Sequence, residues 1–240
     1  MNLIILQEQD KINEDLYQVS DNRFVHIKNI LKSEINEIIN VGILNGQKGK
    51  AKVVSISKSN VELKIISLAQ NEDCKNTVDI ICALPRPQTL KKVLNISATM
   101  GVKNLYLIRS EKVEKSYFHS PLLEEKNYTK FLIEGLSQGK RTQLPKVTIH
   151  KYFKKFFEQD FSEYELKLFA HPNAKNKMNN FKILNKKRII IAIGPEGGWN
   201  DFEINFMQEK DFLSFQLSKN ILRVETALTA TLAQLELIQD

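Results

Sequence analysis

Apolar and polar positions alternate through much of the first 70 residues. Asn40–Leu44 is a short apolar stretch. Lys50-Ala51-Lys52-Val53-Val54-Ser55-Ile56 and Val61-Glu62-Leu63-Lys64-Ile65-Ile66 alternate with period two, the signature of half-buried strands. Asn45-Gly46 is a hairpin-turn pair, and Lys58-Ser59-Asn60 turns into the next strand. One helix interrupts this region: Asp21 is placed to cap it, and Phe24, Ile27 and Leu31 fall on one face. Short strands joined by turn chemistry predict a small barrel. The polar run Gln70-Asn71-Glu72-Asp73 reads as a linker.

After the linker the pattern changes. Val78–Leu84 is continuously apolar, as a strand covered on both faces requires. Gln88–Met100 reads as a helix stopped by Gly101. Val102–Ile108 is a second buried strand, and Pro121–Gln138 a helix ended by Gly139. Val147–Ile149, Leu166–Ala170, Arg188–Ile193 and Phe212–Leu217 read as strands. Tyr152–Gln159, Asp201–Glu209 and Val224–Gln239 read as helices, the last with Ala227, Leu228, Thr231, Leu232 and Leu235 on one apolar stripe. Strand and helix in alternation predict a parallel α/β sheet.

Composition narrows the class. Apolar residues make up 42% of 240, enough to form a core. No apolar run approaches the ~18 residues of a membrane span, and Met1-Asn2-Leu3-Ile4-Ile5-Leu6 lacks the basic flank and length of a signal peptide. Cys74 and Cys82 stand alone, with no second pair to complete a metal site, so a reduced cytoplasmic protein without a metal or a membrane partner is expected. The net charge of +7 is uneven: residues 1–73 carry −1, 74–190 carry +13 and 191–240 carry −5. A basic middle segment suits a polyanionic partner. It includes lysines 126, 130, 140, 146, 151, 154 and 155; Phe153, Phe156 and Phe157 interleave with the last three at a spacing suited to core packing.

Two loops concentrate the unusual residues. Ile193-Gly194-Pro195-Glu196-Gly197-Gly198-Trp199 joins a buried strand to a helix whose Asn200 and Glu203 fit a capping box. Ligands of open α/β sheets bind outside the carboxyl ends of the strands. The glycine spacing matches neither a P-loop nor a dinucleotide fingerprint, and Glu196 would repel a pyrophosphate; a ligand with a positive centre suits it better. The second loop, Leu217-Ser218-Lys219-Asn220-Ile221-Leu222-Arg223-Val224-Glu225-Thr226-Ala227, also opens a helix. Glu225 in the first turn complements the helix dipole, whereas Arg223 opposes it. An arginine so placed suggests a use, such as holding an anion or an electron-rich ring.

Ile193-Gly194-Pro195-Glu196-Gly197-Gly198 and Ile221-Leu222-Arg223-Val224-Glu225-Thr226-Ala227, about 25 residues apart, closely resemble the SPOUT superfamily of RNA methyltransferases. Within it the match is to the ribosomal small-subunit methyltransferase E family, the 16S rRNA (uracil-N3) methyltransferases. The resemblance implies an α/β fold with a PUA-like β-barrel over residues 1–72 and a SPOUT domain over 73–240, with a trefoil knot at about 165–240. It also implies an S-adenosylmethionine (SAM) site, a 16S rRNA or small-subunit substrate, and a homodimer. Three loops would hold the cofactor: Phe169, Ala170 and His171; Ile193, Gly194, Pro195, Glu196, Gly197 and Gly198; and Leu217, Ser218, Asn220, Ile221, Leu222, Arg223, Thr226 and Ala227. His171 is given only a wall role.

RNA contacts would come from Arg23, Lys32, Gln138, Lys140 and Arg141, the last three lying in a stretch that resembles the family's Gln-Ser-Gly-Arg. Departures from the family pattern fall at Ile96, Ala98 and Thr99, where Lys, Thr and Glu are usual, at Ser137, where Glu is usual, and at Asn29-Ile30-Leu31-Lys32, where the family carries an arginine-bearing segment. They leave open a related enzyme acting on another RNA nucleotide, or a non-catalytic assembly protein. Methyl transfer to uracil N3 is an in-line displacement, and N3 is a poor nucleophile until its proton leaves. The site therefore needs a base, or donors that stabilise charge on the uracil oxygens. Arg223 is the first candidate donor and Arg141 the second; Glu225 or Glu196 would take the proton or hold the cofactor.

Overall fold

The computed structural model describes residues 3–69, 78–182 and 188–239. The expected linker at 70–73 lies outside them. The chain divides into two compact units. One comprises residues 1–74 with 133–144, and the other 75–132 with 145–240.

In the first unit, β1 (Ile4–Leu6), β2 (Leu16–Val19), β3 (Ile38–Ile43), β4 (Lys48–Ile56) and β5 (Val61–Leu68) form a five-stranded sheet in the order β1-β3-β4-β5-β2. β1 runs parallel to β3, and the other pairs are antiparallel. Alternation sets the core: Ala51 and Val53 of β4 and Val61 and Leu63 of β5 point inward with Val41, Val19 and Leu6. The expected helix is present in two parts. Asp21 caps α1 (Asn22–Val25) by accepting the Arg23 N–H, and a π-helical turn, His26–Ile30, continues it. Ile27 is fully buried, and Phe24 and Leu31 pack beside it. At the Asn45-Gly46 turn it is Asn45 that takes the left-handed conformation, with φ 57°, a role its short side chain tolerates.

Residues 133–144 join this unit through contacts that local patterns do not reveal. The Ser137 hydroxyl donates to the Leu3 carbonyl at 2.6 Å and the Leu3 N–H to the Ser137 carbonyl at 3.0 Å. Thr142 Oγ1 donates to the Gly46 carbonyl at 2.6 Å.

The second unit holds β6 (Val78–Ala83), β7 (Asn104–Ile108), β8 (Lys146–His150), β9 (Leu166–Ala170), β10 (Ile189–Ile193) and β11 (Leu213–Phe215). All pairings are parallel, in the order β11-β9-β10-β6-β7-β8. Every residue of β6 and β10 is buried, as the apolar runs predict for strands covered on both faces.

The helices are α2 (Pro87–Thr99), α3 (Glu125–Gly139, shared between the units), α4 (Phe153–Phe157), α5 (Asp201–Glu209) and α6 (Val224–Gln239). Proline occupies the first turn of α2, where its missing N–H costs nothing, and Gly101 follows the helix at φ 74°. The stretch expected as one helix from Pro121 begins as a separate 3-10 turn, Pro121–Leu123, before α3. Past Gly139 it is Lys140, at φ 51°, that turns the chain. The stripe Leu228, Thr231, Leu232 and Leu235 is buried, and α6 packs against α2.

Below the sheet's C-terminal edge, Asp79 at the start of β6 is 1% exposed. It accepts from Tyr164 Oη at 2.5 Å, Arg188 Nη2 at 2.6 Å, and the Asn104 backbone N–H and Nδ2 at 3.0 and 2.9 Å. The network ties β6, β7 and the entries to β9 and β10 together.

Candidate active site

Because β11, β9 and β10 are neighbours in the sheet, the loops that follow them open side by side. They form one cleft. Ala170, His171 and Pro172 line it after β9, Ile193 to Trp199 after β10, and Leu217, Ser218, Asn220, Ile221, Leu222, Val224 and Ala227 after β11. Its volume is about 220 Å³. Pockets that enclose a drug-sized ligand start near ~300 Å³, so such a ligand extends beyond it.

The β10 loop owes its shape to two glycines. Gly198 sits at φ 68°, where L side chains are strained. Gly194 lies against the Trp199 ring, and a Cβ there would stand 3.1 Å from ring atoms Cε2 and Nε1. The Trp199 indole N–H is buried and has no acceptor among the described residues. The expected capping box is present: Asn200 Oδ1 accepts from the Glu203 N–H at 2.8 Å, and Glu203 Oε2 from the Asn200 N–H at 3.0 Å.

A second cavity, about 430 Å³, adjoins the cleft through a shared wall residue, Glu196. Arg86, Thr89, Lys112, Glu114, Tyr117, Arg223 and Glu225 complete it. The Lys112 Nζ donates to the Gly197 carbonyl at 2.8 Å, which ties the β7 loop to the β10 loop. Lys92 Nζ stands 3.1 Å from Glu225 Oε1. Burial acts to raise the Glu225 pKa, but its own backbone N–H, Lys92 and Arg223 together hold it below the ordinary 4.5. Glu225 is therefore a fixed negative charge at neutral pH. Burial and the neighbouring Glu114 carboxylate push the Tyr117 phenol up, so it remains neutral.

The candidate residues are thus distributed over several places. Of the three cofactor segments, most positions line the cleft, but Arg223 lines the second cavity, and Thr226 is exposed on α6. Phe169 is fully buried, paired in the sheet with Ala192 and Ser214, and supports the cleft from below. Pro172, Trp199 and Val224 lie within the loops read from the sequence, whereas Arg86, Lys112 and Tyr117 were not assigned to the site there. Trp199 adjoins the glycine run and was legible there; Arg86, Lys112 and Tyr117 arrive from separate loops that only the topology brings in.

Lys32, Gln138, Lys140 and Arg141 all belong to the first unit, the first three exposed. Arg23, expected on RNA, is instead committed within the protein. It forms ion pairs with Asp10 at 2.5 Å and Asp21 at 2.8 Å and donates to the Ile5 carbonyl at 2.7 Å. Two carboxylates neutralise it, and its part is to fix α1 to β1. The seven lysines of the basic segment are all exposed, while Phe156 and Phe157 are buried as expected.

The family model described as RNA methyltransferase domain matches residues 72–236. The chain belongs to this RNA methyltransferase domain family. Similar curated proteins agree in kind. A ribosomal RNA small subunit methyltransferase E of Treponema pallidum is 28% identical, over 97% of this chain and 90% of its own length. A ribosomal RNA small subunit methyltransferase E 1 of Borreliella burgdorferi is 28% identical, over 88% of each. Among solved structures, a ribosomal RNA small subunit methyltransferase E of Neisseria gonorrhoeae bound to S-adenosyl methionine superposes with TM-score 0.79 at 22% identity, over 99% of this chain and 98% of the other. A methyltransferase of Legionella pneumophila in complex with SAM gives TM-score 0.79 at 21% identity, over 100% and 99%. The mixed α/β fold, with one curled and one parallel sheet, is thus the fold of these RNA methyltransferase domain structures. Among the described residues no helix is long and apolar enough to cross a membrane, and no cluster of side chains suited to a metal ion occurs.

Proposed function

We propose that the chain transfers a methyl group from S-adenosylmethionine to N3 of a uridine in the 16S rRNA of the small ribosomal subunit. The observation that carries the reading is the junction at Glu196: a cleft made of the three expected loops adjoins a cavity that holds Arg223, Arg86 and Lys112. The names of the similar curated proteins and the cofactor in the similar structures support the RNA substrate and the SAM requirement.

S-adenosylmethionine, when bound, supplies an electrophilic methyl group on a positively charged sulfur. The cleft suits it: Ile193, Leu222 and Ala227 give apolar walls for a flat ring, and Glu196 faces a positive centre. In the adjoining cavity Arg223 donates to a uracil oxygen as negative charge develops there on loss of the N3 proton. Arg86 and Lys112 raise the local positive potential that favours the anionic base. Glu225 stays ionised and holds Lys92 and Arg223 in place. Glu196 is left to accept the proton, since it alone stands in both cavities.

The same reading makes residues 1–72 a PUA-like barrel that binds RNA through Lys32, with Gln138, Lys140 and Arg141 on RNA beside it. It makes 73–240 a SPOUT domain with a knot over about 165–240, in line with β10 lying between β9 and β6. It makes the working enzyme a cytoplasmic homodimer. Ile96, Ala98 and Thr99 line neither cavity, so these departures leave the proposed chemistry untouched. The test is incubation of unmethylated small subunits with the protein and SAM, followed by mass-spectrometric mapping of the rRNA. One methyl at N3 of a single uridine is expected; a methyl on another atom or nucleotide overturns the assignment.

A further inference from the structure

The loop after β7 serves two cavities. Lys112 and Glu114 face the Arg223 cavity, whereas Arg109, Ser110 and Glu111 face another, of about 260 Å³, closed by residues 151–154 after β8 and by the first turn of α5. No residue of the methyltransferase motifs lines this second space.

Its chemistry is distinctive. Among the described residues Arg109 and Lys151 engage no side-chain partner. Lys154 has only a loose ion pair with Glu158 at 3.8 Å, and its Nζ lies 6.0 Å from the Phe206 ring centroid. Glu203 is spent internally, its two oxygens accepting the N–H groups of Glu111 and Asn200 at 2.8 and 3.0 Å. That leaves the exposed Glu111 as the one uncommitted carboxylate against three cations. Two large rings border the space in water: Tyr152 is 68% exposed and Phe202 58%. Phe202 stacks on Phe206 with centroids 5.7 Å apart and planes at 22°, so its outer face is presented rigidly. In the floor Ser110 is 1% exposed and its hydroxyl has no partner among the described residues.

Exposed aromatic faces among unpaired cations match an unpaired nucleotide. The base gains by stacking, and its phosphate by charge. An apolar peptide would leave Arg109 and Lys151 buried and unpaired. We propose that this cavity binds an unpaired nucleotide of the RNA substrate, next to the one being methylated. Its base stacks on Tyr152 or Phe202, and its phosphate rests on Arg109 and Lys151. The inference rests on the RNA methyltransferase reading above, and the shared β7 loop makes the two subsites consecutive along the sheet's C-terminal edge.

Fluorescence anisotropy with a labelled, unstructured single-stranded RNA, on the full chain with SAM present, tests it. Tyr152→Ala/Phe202→Ala should raise the Kd about tenfold, within the ~1–3 kcal/mol per stacked base, and leave the salt slope unchanged. Tyr152→Phe/Phe202→Tyr should restore wild-type affinity. Arg109→Gln/Lys151→Gln should raise the Kd and flatten the slope of log K against log salt by about 0.7, the change for one single-strand phosphate contact. Unchanged Kd and slope in both alanine and glutamine variants, with wild type binding RNA and SAM normally, overturn the subsite alone. Wild type that binds neither RNA nor SAM overturns the methyltransferase reading and the subsite with it. An acidic peptide that competes with the RNA equally in wild type and in the ring variant would assign the cavity to a protein partner instead.

Discussion

Lys92 on α2 and Glu225 on α6 meet across 133 positions of sequence, with Nζ 3.1 Å from Oε1. The pair is largely at the surface, so its contribution to stability is small, about 0.5 kcal/mol or less. Its consequence is electrostatic: with its own backbone N–H and Arg223, Lys92 keeps Glu225 ionised beside the Arg223 cavity. Lys92→Ala should leave the thermal midpoint unchanged and let the Glu225 pKa rise. The acid limb of the kcat/KM profile for methyl transfer should then move to higher pH. A limb that stays in place would remove Glu225 from the charge balance of the site.

Gly194 and Trp199 set the cleft's inner wall. A methyl group at 194 would press the indole ring from 3.1 Å. Relieving such overpacking costs about 1–3 kcal/mol, and here the ring moves into the ligand's space. Gly194→Ala should weaken SAM binding about tenfold or more in calorimetry, with the parallel-sheet unit still folded by circular dichroism.

The Asp79 network should dominate the stability of that unit. Removing the carboxylate takes the shared acceptor from Tyr164 and Asn104 and leaves Arg188 with Glu163 alone. Breaking a buried ion pair from one side costs about 3–5 kcal/mol. Asp79→Ala should lower the unfolding midpoint by roughly 6–20 °C, at ~2–4 °C per kcal/mol for chains of this size. The site lies at the opposite end of the strands, so the SAM Kd of the folded variant should be unchanged.

His150 makes stability pH-dependent. Its ring packs on Phe156 at 4.6 Å between centroids and bonds Thr148 Oγ1 at 3.0 Å, and burial holds its pKa below the ordinary 6.5. The unfolded chain therefore takes up this proton at higher pH than the folded one. The contribution is complete above about 6.5 and is lost as pH falls below it toward the folded value. Urea titrations at pH 7.5 and 5.5 should show wild type losing more stability than His150→Gln over that interval.

Local pattern carried much of the fold. Continuous apolar runs identified β6 and β10, alternation identified β4 and β5, and the Asn200–Glu203 spacing identified the cap of α5. What it missed is non-local. β1 and β2 are three and four residues long, too short for periodicity to register. The 133–144 segment joins the first unit through hydrogen bonds of Ser137, Thr142 and Leu144 to Leu3, Asn45 and Gly46. The same division holds for the site. The glycine loop and the Arg223 loop were legible because unusual residues are dense there. Arg86, Lys112 and Tyr117 are ordinary in sequence and gain meaning only because parallel topology aligns the strand ends. Arg23 shows the converse: an arginine placed on RNA by the family resemblance, occupied by Asp10 and Asp21.

Under the proposed function the cofactor cleft and the Arg223 cavity are separate halves of one reaction site. The most direct measurement compares wild type and Arg223→Ala for SAM affinity by calorimetry and for methyl transfer to unmethylated small subunits. The same SAM Kd is expected in both proteins, with transfer lost in the variant. Unchanged turnover in Arg223→Ala, or loss of SAM binding along with transfer, would contradict it.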